Sequence, residues 1–201
     1  MKKCVVVGVL LFSITLAFPE DFDWDDLAPA GAVKELGKVS SVEGWEVTAR
    51  YWPEHKELYL NFEMNNSYSS DGFGFVFKSA TFQKLREALA KFQSWTDIAR
   101  ANAVTSKVEK TIYRLEAYKG WIRKGSTLYR QKQVVMELAF FYNDSTAFLK
   151  ILHGDMTTEE GKSTIVGYEP ATLETLDARR LAQIVSQKSL NNAERTDNLF
   201  N

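Results

Sequence analysis

The stretch from Gly72 to Phe92, GFGFVFKSATFQKLREALAKF, constrains the fold more than any other. Its first half alternates aromatic with small residues, which a period of two sends to opposite sides of a strand. Its second half spaces Phe82, Leu85, Leu89 and Phe92 three and four apart, one apolar stripe on a helix. A strand that runs straight into an amphipathic helix needs a sheet beside it and a free face of that sheet to lie on. The stretch Ser163 to Ile184, STIVGYEPATLETLDARRLAQI, repeats the pattern, again through an Ala-Thr step: Ala80-Thr81, then Ala171-Thr172. Upstream, Val47, Ala49, Tyr51, Leu58 and Leu60 fall 91 residues before Leu138, Phe140, Tyr142, Leu149 and Ile151. The expected fold is therefore α+β: an antiparallel β-sheet built from two tandem ββ-β-α units, 44–103 and 108–190, with two long helices packed on the sheet.

Within the first unit, Trp45 to Trp52 and Glu57 to Met64 read as a hairpin turning at Pro53-Glu54-His55-Lys56. Leu58, Leu60, Phe62 and Met64 are expected inward, with Tyr59, Asn61 and Glu63 outward. Residues 65–72 read as a polar loop, and the helix is expected to run about 20 residues to near Ala103. In the second unit, Val134 to Tyr142 alternates and Asn143-Asp144-Ser145 turns into Phe148–Leu152. A strand is expected at Ser163–Tyr168. Pro170 then suits the first turn of a helix, with Leu173, Leu176, Leu181 and Ile184 as its buried stripe. After Leu190 the tail, 191–201, is expected to fray.

The N-terminus reads as an export signal. Lys2-Lys3 precede the fifteen-residue apolar run Cys4–Phe18, and Thr15-Leu16-Ala17 offers a cleavage site after Ala17. The run is shorter than the roughly 20 residues that span a bilayer; an uncleaved anchor is the alternative. Removing residues 1–17 leaves 23 basic residues against 26 acidic ones and no cysteine, since Cys4 lies in the signal. Thiol chemistry, disulfides and thiolate metal ligands are thereby excluded for the mature chain, which must be held by its core. Residues 18–43 are expected to form an acidic leader. Its EDFDWDD segment, 20–26, lacks the spacing of a calcium loop.

Near-balanced charge gives no global pull toward nucleic acid or acidic lipid, but residues 107–132 depart from it. Eight bases stand there against Glu109 and Glu116, with Tyr113, Tyr118, Trp121 and Tyr129 between them. Lys119, Trp121, Arg123, Lys124 and Arg130 are the candidate ligand-binding residues: the cations neutralise phosphate or sulfate, and an exposed ring stacks on a base or sugar. A solvated sheet face or a charge-blunted edge strand is the structural alternative.

Other signals are weaker. His55 lies in a turn; His153 sits near Asp155, and a His–carboxylate pair can shuttle protons, although a half-buried structural histidine fits as well. No HExxH, GxSxG, SxxK or phosphate-cradling loop occurs. Motifs do not dismiss acid pairs, because glycosidase carboxylates have no fixed sequence spacing; Glu159-Glu160 and Asp25-Asp26 nevertheless read as loop solvation. The loops 65–72, with Tyr68, and 154–163 occupy equivalent places in the two units and could present contacts symmetrically.

Several antiparallel strands followed by one helix, used twice over 45–190, is similar in element order to the PUR-repeat and Whirly nucleic-acid-binding proteins. At residue level the resemblance is confined to Tyr142–Ile151, YNDSTAFLKI. It implies a nucleic-acid partner, which the export signal opposes. The expected function is a non-enzymatic binding or interaction protein, periplasmic or extracellular, whose partner is a protein or polyanion of the cell envelope. A polyanion-binding module using 107–132 and an envelope hydrolase using carboxylates with His153 are the alternatives. No cofactor and no metal are expected.

Overall fold

Three strands open the described part of the chain in the computed structural model, which describes residues 32–64, 71–125, 127–157, 164–165 and 167–198. They are β1 (Lys34–Ser40), β2 (Trp45–Trp52) and β3 (Glu57–Met64). The β2–β3 hairpin forms as its alternation demands: Val47 lies opposite Phe62 and Ala49 opposite Leu60, all four buried. The intervening turn closes with Lys56 N–H donating to the Pro53 carbonyl. β4 (Gly72–Lys78) pairs with β3 and runs without a break into α1 (Ser79–Ala101). Phe82, Leu85, Leu89 and Phe92 are buried as their spacing requires, and Thr96 and Ala99 extend the stripe. Ala103, in the left-handed region at φ 46°, ends the helix while Val104 N–H returns to the Ala99 carbonyl.

The chain then makes its longest hairpin, β5 (Val108–Lys124) with β6 (Thr127–Asn143), and continues through β7 (Thr146–His153). Asp144 and Ser145, both at positive φ, form the two-residue turn between β6 and β7. A small separate ribbon follows, β8 (Met156–Thr157) with β9 (Thr164–Ile165). β10 (Ala171–Glu174) then joins β7, and α2 (Thr175–Ile184) and α3 (Gln187–Asn198) end the described chain. The main sheet has the order β1-β2-β3-β4-β5-β6-β7-β10, every neighbour antiparallel. An antiparallel sheet with helices on one face is the α+β architecture expected.

This sheet is strongly curled. β4 and β7 are three strand spacings apart, about 14 Å if flat, yet the rings of Phe75 and His153 stack with centroids 4.7 Å apart. At the far edges, Val42 N–H donates to the Thr172 carbonyl and Thr172 N–H to the Glu43 carboxylate. α2 packs against β1 as well as β7 and β10, and so spans the seam. The concave side holds one continuous core, in which Tyr51 meets Phe82 and Phe140 meets Phe92 and Trp95.

Several expectations need correction. The constant offset of 91 does not persist: Trp52 and Asn143 are 91 apart, but their strand partners Glu57 and Thr146 are 89 apart. The reason is the turn, four residues in one hairpin and two in the other. Phe62 thus corresponds by register to Ile151, not to His153. Of the strand expected at 163–168, the described residues show Thr164–Ile165 in the ribbon, while Gly167 and Tyr168 are not strand. Pro170 precedes β10 instead of opening a helix, a position where the missing donor costs nothing at the start of an edge strand. Leu173 is therefore a buried strand residue, and Leu176, at 67% exposure, is no part of a stripe; α2 buries Ala178 and Leu181.

Only α1 is long, at 23 residues; α2 and α3 have 10 and 12. The leader assigned to 18–43 contains β1, and the tail assigned to 191–201 is helical through Asn198. Ala193 is buried there and Tyr51 donates a 2.7 Å hydrogen bond to Glu194. The signal, the acidic segment 20–26, Tyr68 and Glu159-Glu160 lie outside the described residues.

The reassignment of β10 gives a direct test. Leu173→Ala should cost about 2–5 kcal/mol, whereas Leu176→Ala should stay within about 0.5 kcal/mol of the parent, both measured by urea unfolding.

Candidate functional site

Sheet register sets the candidate residues side by side. On the face away from the helices, Thr48, Asn61, Gly74, Trp121 and Arg130 form one row across β2 to β6. Arg50, Tyr59, Val76, Lys119 and Lys132 form the next, and Glu46, Glu63, Gly72, Arg123 and Leu128 the third. Lys119, Trp121 and Arg123 alternate along β5, as Arg130 and Lys132 do along β6, so all five share this face. Lys119 stands directly opposite Lys132, an arrangement of like charges that a cross-strand pair does not favour. Among the described residues, the acids in the row of Arg123 are Glu63 and Glu46, two and three strands away.

Trp121 is held by glycines. Its indole lies over Gly72 and Gly74, and a Cβ on Gly74 would come within 2.4 Å of the indole nitrogen. The ring is 8% exposed, with the Arg123 guanidinium 5.7 Å from its centre. Trp121 is thus a plate set into the sheet, not the open stacking surface expected for it. The exposed ring is Tyr118, at 39%, which has Lys78 Nζ and Lys119 Nζ 4.5 and 5.1 Å from its centre. Its position among the interleaved aromatics was visible in the sequence, but its exposure was not.

Lys124 departs from the group. Its ammonium lies 5.3 Å over the ring of Tyr168, at the hairpin tip. That tip is pinned: Gly125 N–H, at φ +58°, donates to the Asp71 carboxylate at 2.7 Å, and the Tyr168 hydroxyl donates to the Arg123 carbonyl. Burial, then the nearby Asp71 charge, pushes the Tyr168 hydroxyl up to about 12. Beside the face, buried Glu57 accepts from the Tyr59 hydroxyl at 2.8 Å and from Lys78 Nζ at 2.7 Å. Burial first, and Glu57 second, raise the Tyr59 hydroxyl far above the ordinary tyrosine value. These bonds fix the end of β4 beside Tyr118.

His153 lies elsewhere, inside the concave core between Phe75 and Phe73. Its Nδ1 is 2.6 Å from the Gly154 carbonyl, so Nδ1 carries the proton, and the bare Nε2 is buried without a hydrogen-bond partner. Burial lowers its pKa to about 4. The ring is thus enclosed, with 6% of its surface exposed. His55 is exposed and stacks on Trp52, with ring centres 3.8 Å apart. Among the described residues, no three His, Cys, Asp or Glu side chains are grouped to hold a metal ion.

No family model matches the chain, and neither a curated protein nor a solved structure shows significant similarity to it.

His153 makes stability depend on pH. The unfolded imidazole binds a proton below about 6.5, while the folded one resists until about 4. Stability from this group is therefore complete above about 6.5 and is lost as pH falls toward 4, by up to about 3 kcal/mol. His153→Phe should remove that part of the slope, as read from urea midpoints between pH 4 and 7.

Proposed function

We propose that the protein is a non-enzymatic binding module whose outer β5–β6 face takes a polyanion. The observation that carries this reading is the register: Lys119, Arg123, Arg130 and Lys132 stand on one face around a rigid Trp121, with two lysines directly opposed. A rigid sheet holds these cations at fixed spacings, and a sulfated or phosphorylated polymer carries the dispersed negative charge that such a basic face attracts. The exposed Tyr118, bracketed by two ammonium groups, adds a ring at the rim of the face.

The N-terminal signal supports an exported protein, periplasmic or extracellular, with its partner in the cell envelope. Among the described residues no helix is long and apolar enough to cross a membrane. The recurrence of four strands followed by a helix, β1–β4 with α1 and β5–β7 and β10 with α2, supports duplication at the level of elements. Unequal turns and the five-residue later helix start then separate the copies: α1 begins at Ser79 and α2 at Thr175, 96 residues on.

Heparin chromatography over a salt gradient tests the reading. Arg123→Glu with Arg130→Glu should abolish retention, and in solution should lower the slope of log Kd against log salt by about 2. Lys124→Glu, at the tip beside Tyr168, should leave retention close to the parent. Equal loss in both variants, or none in either, would overturn the assignment to this face.

A further inference from the structure

The end of the concave core around His153 is a weak point. Two buried polar atoms there lack a hydrogen-bond partner, His153 Nε2 and Trp45 Nε1, and both side chains lie against the ring of Phe73. Polar atoms buried without a partner lower stability where they sit. His153 is also the last residue of β7. β10 pairs with β7 only as far as Ile151, so Leu152 and His153 have a strand neighbour on one side alone, β6. Met136–His153 is the final rung of that pairing. Beyond it the chain is fastened by single bonds: Gly154 N–H donates to the Val135 carbonyl and Thr157 N–H to the Gln131 side chain, each at 2.8 Å. Buried Met156, paired with Ile165 in the two-residue ribbon, adds to that hold.

From this arrangement we infer that His153 is an acid-sensitive latch: when its ring takes a second proton, His153–Thr157 leaves the sheet and uncovers Phe73 and Phe75, while β2–β4 and α1 stay folded. The second proton goes to Nε2, because Nδ1 already holds one against the Gly154 carbonyl. Nε2 then needs an acceptor, and the rings that enclose it offer none: Phe75 stacks on the imidazole and Phe73 meets it at 83°. Met136, opposite on β6, carries no charge, and the Gly167 backbone lies against the His153 carbonyl. Asp155 favours the charged ring, but burial outweighs it. Tyr168, on the far side of Phe73, has its hydroxyl committed to the Arg123 carbonyl.

A ring in water takes the proton below about 6.5 and the enclosed one only near 4, so the hold of this end is complete above about 6.5 and lost as pH falls toward 4. That difference raises the open population about 30-fold between pH 7.5 and pH 5. Local and global opening gain equally from it, but the local one starts ahead, because it breaks only the end of one strand.

Amide hydrogen exchange on the full chain, read residue by residue by NMR and corrected for intrinsic rates, tests the latch. Between pH 7.5 and pH 5 the Gly154 and Thr157 amides should lose protection about 30-fold, while those of Leu60 and Phe62 on β3 keep theirs. His153→Phe, which leaves an apolar ring in the same cage, should hold Gly154 protection constant. Constant protection at Gly154 in the parent, an equal loss at Leu60, or a loss that persists in His153→Phe would overturn the inference. The first two outcomes need only the parent chain, so they decide the matter even where the variant does not fold.

Discussion

The structure depends on aromatic contact across the inside of a curled sheet. Phe62 and Phe73, neighbours on β3 and β4, stack with centroids 4.3 Å apart. Phe73 in turn meets Trp45, Phe75, Tyr168 and His153. Those partners come from β2, β4, β7 and the segment before β10, so one cluster draws together strands that a flat sheet would keep apart. Helices fill the other part of the concavity, where α1 lays Phe82 on Tyr51 and Phe92 on Phe140. The curl and the helices are two answers to the same demand, that the large rings on alternate positions be covered.

The opposite face follows from that choice. Beside Trp121, strands that commit their large rings inward present small or polar residues outward: Thr48, Asn61, Gly72 and Gly74. The vacancy over the two glycines is what lets Trp121 lie flat, and its burial there fixes β5 against β4 on the outer side as Ile122 and Phe73 do within. The cations of β5 and β6 are then carried on a backbone secured from both sides. Their spacing is a property of the sheet and not of flexible loops.

Much of this was readable from side-chain periodicity. The β2–β3 hairpin, β4 and α1 follow alternation and three-four spacing closely, because each has one face committed to the core. β1 was not legible: KELGKVS has Val39 as its one buried residue, and its pairing with β2 supplies what its composition does not. β10 was misread because Ala-Thr-Leu-Glu suits a helix start after proline, while pairing with β7 holds it extended. The candidate face was legible as a group of residues but not as a surface. The exclusion of Lys124, the burial of Trp121 and the exposure of Tyr118 depend on glycines and cross-strand neighbours far away in sequence.

The seam between Val42 and Thr172 has a consequence for life at high concentration. A sheet of eight strands ordinarily ends in two rows of unpaired amides, each an invitation to another chain. Here the margin at β10 is four residues long and already engaged by Val42 and Glu43, and α2 spans the gap to β1. At β10 a strand arriving from a neighbouring molecule finds little open margin to lengthen. That edge is a poor route into fibrils or strand-swapped chains.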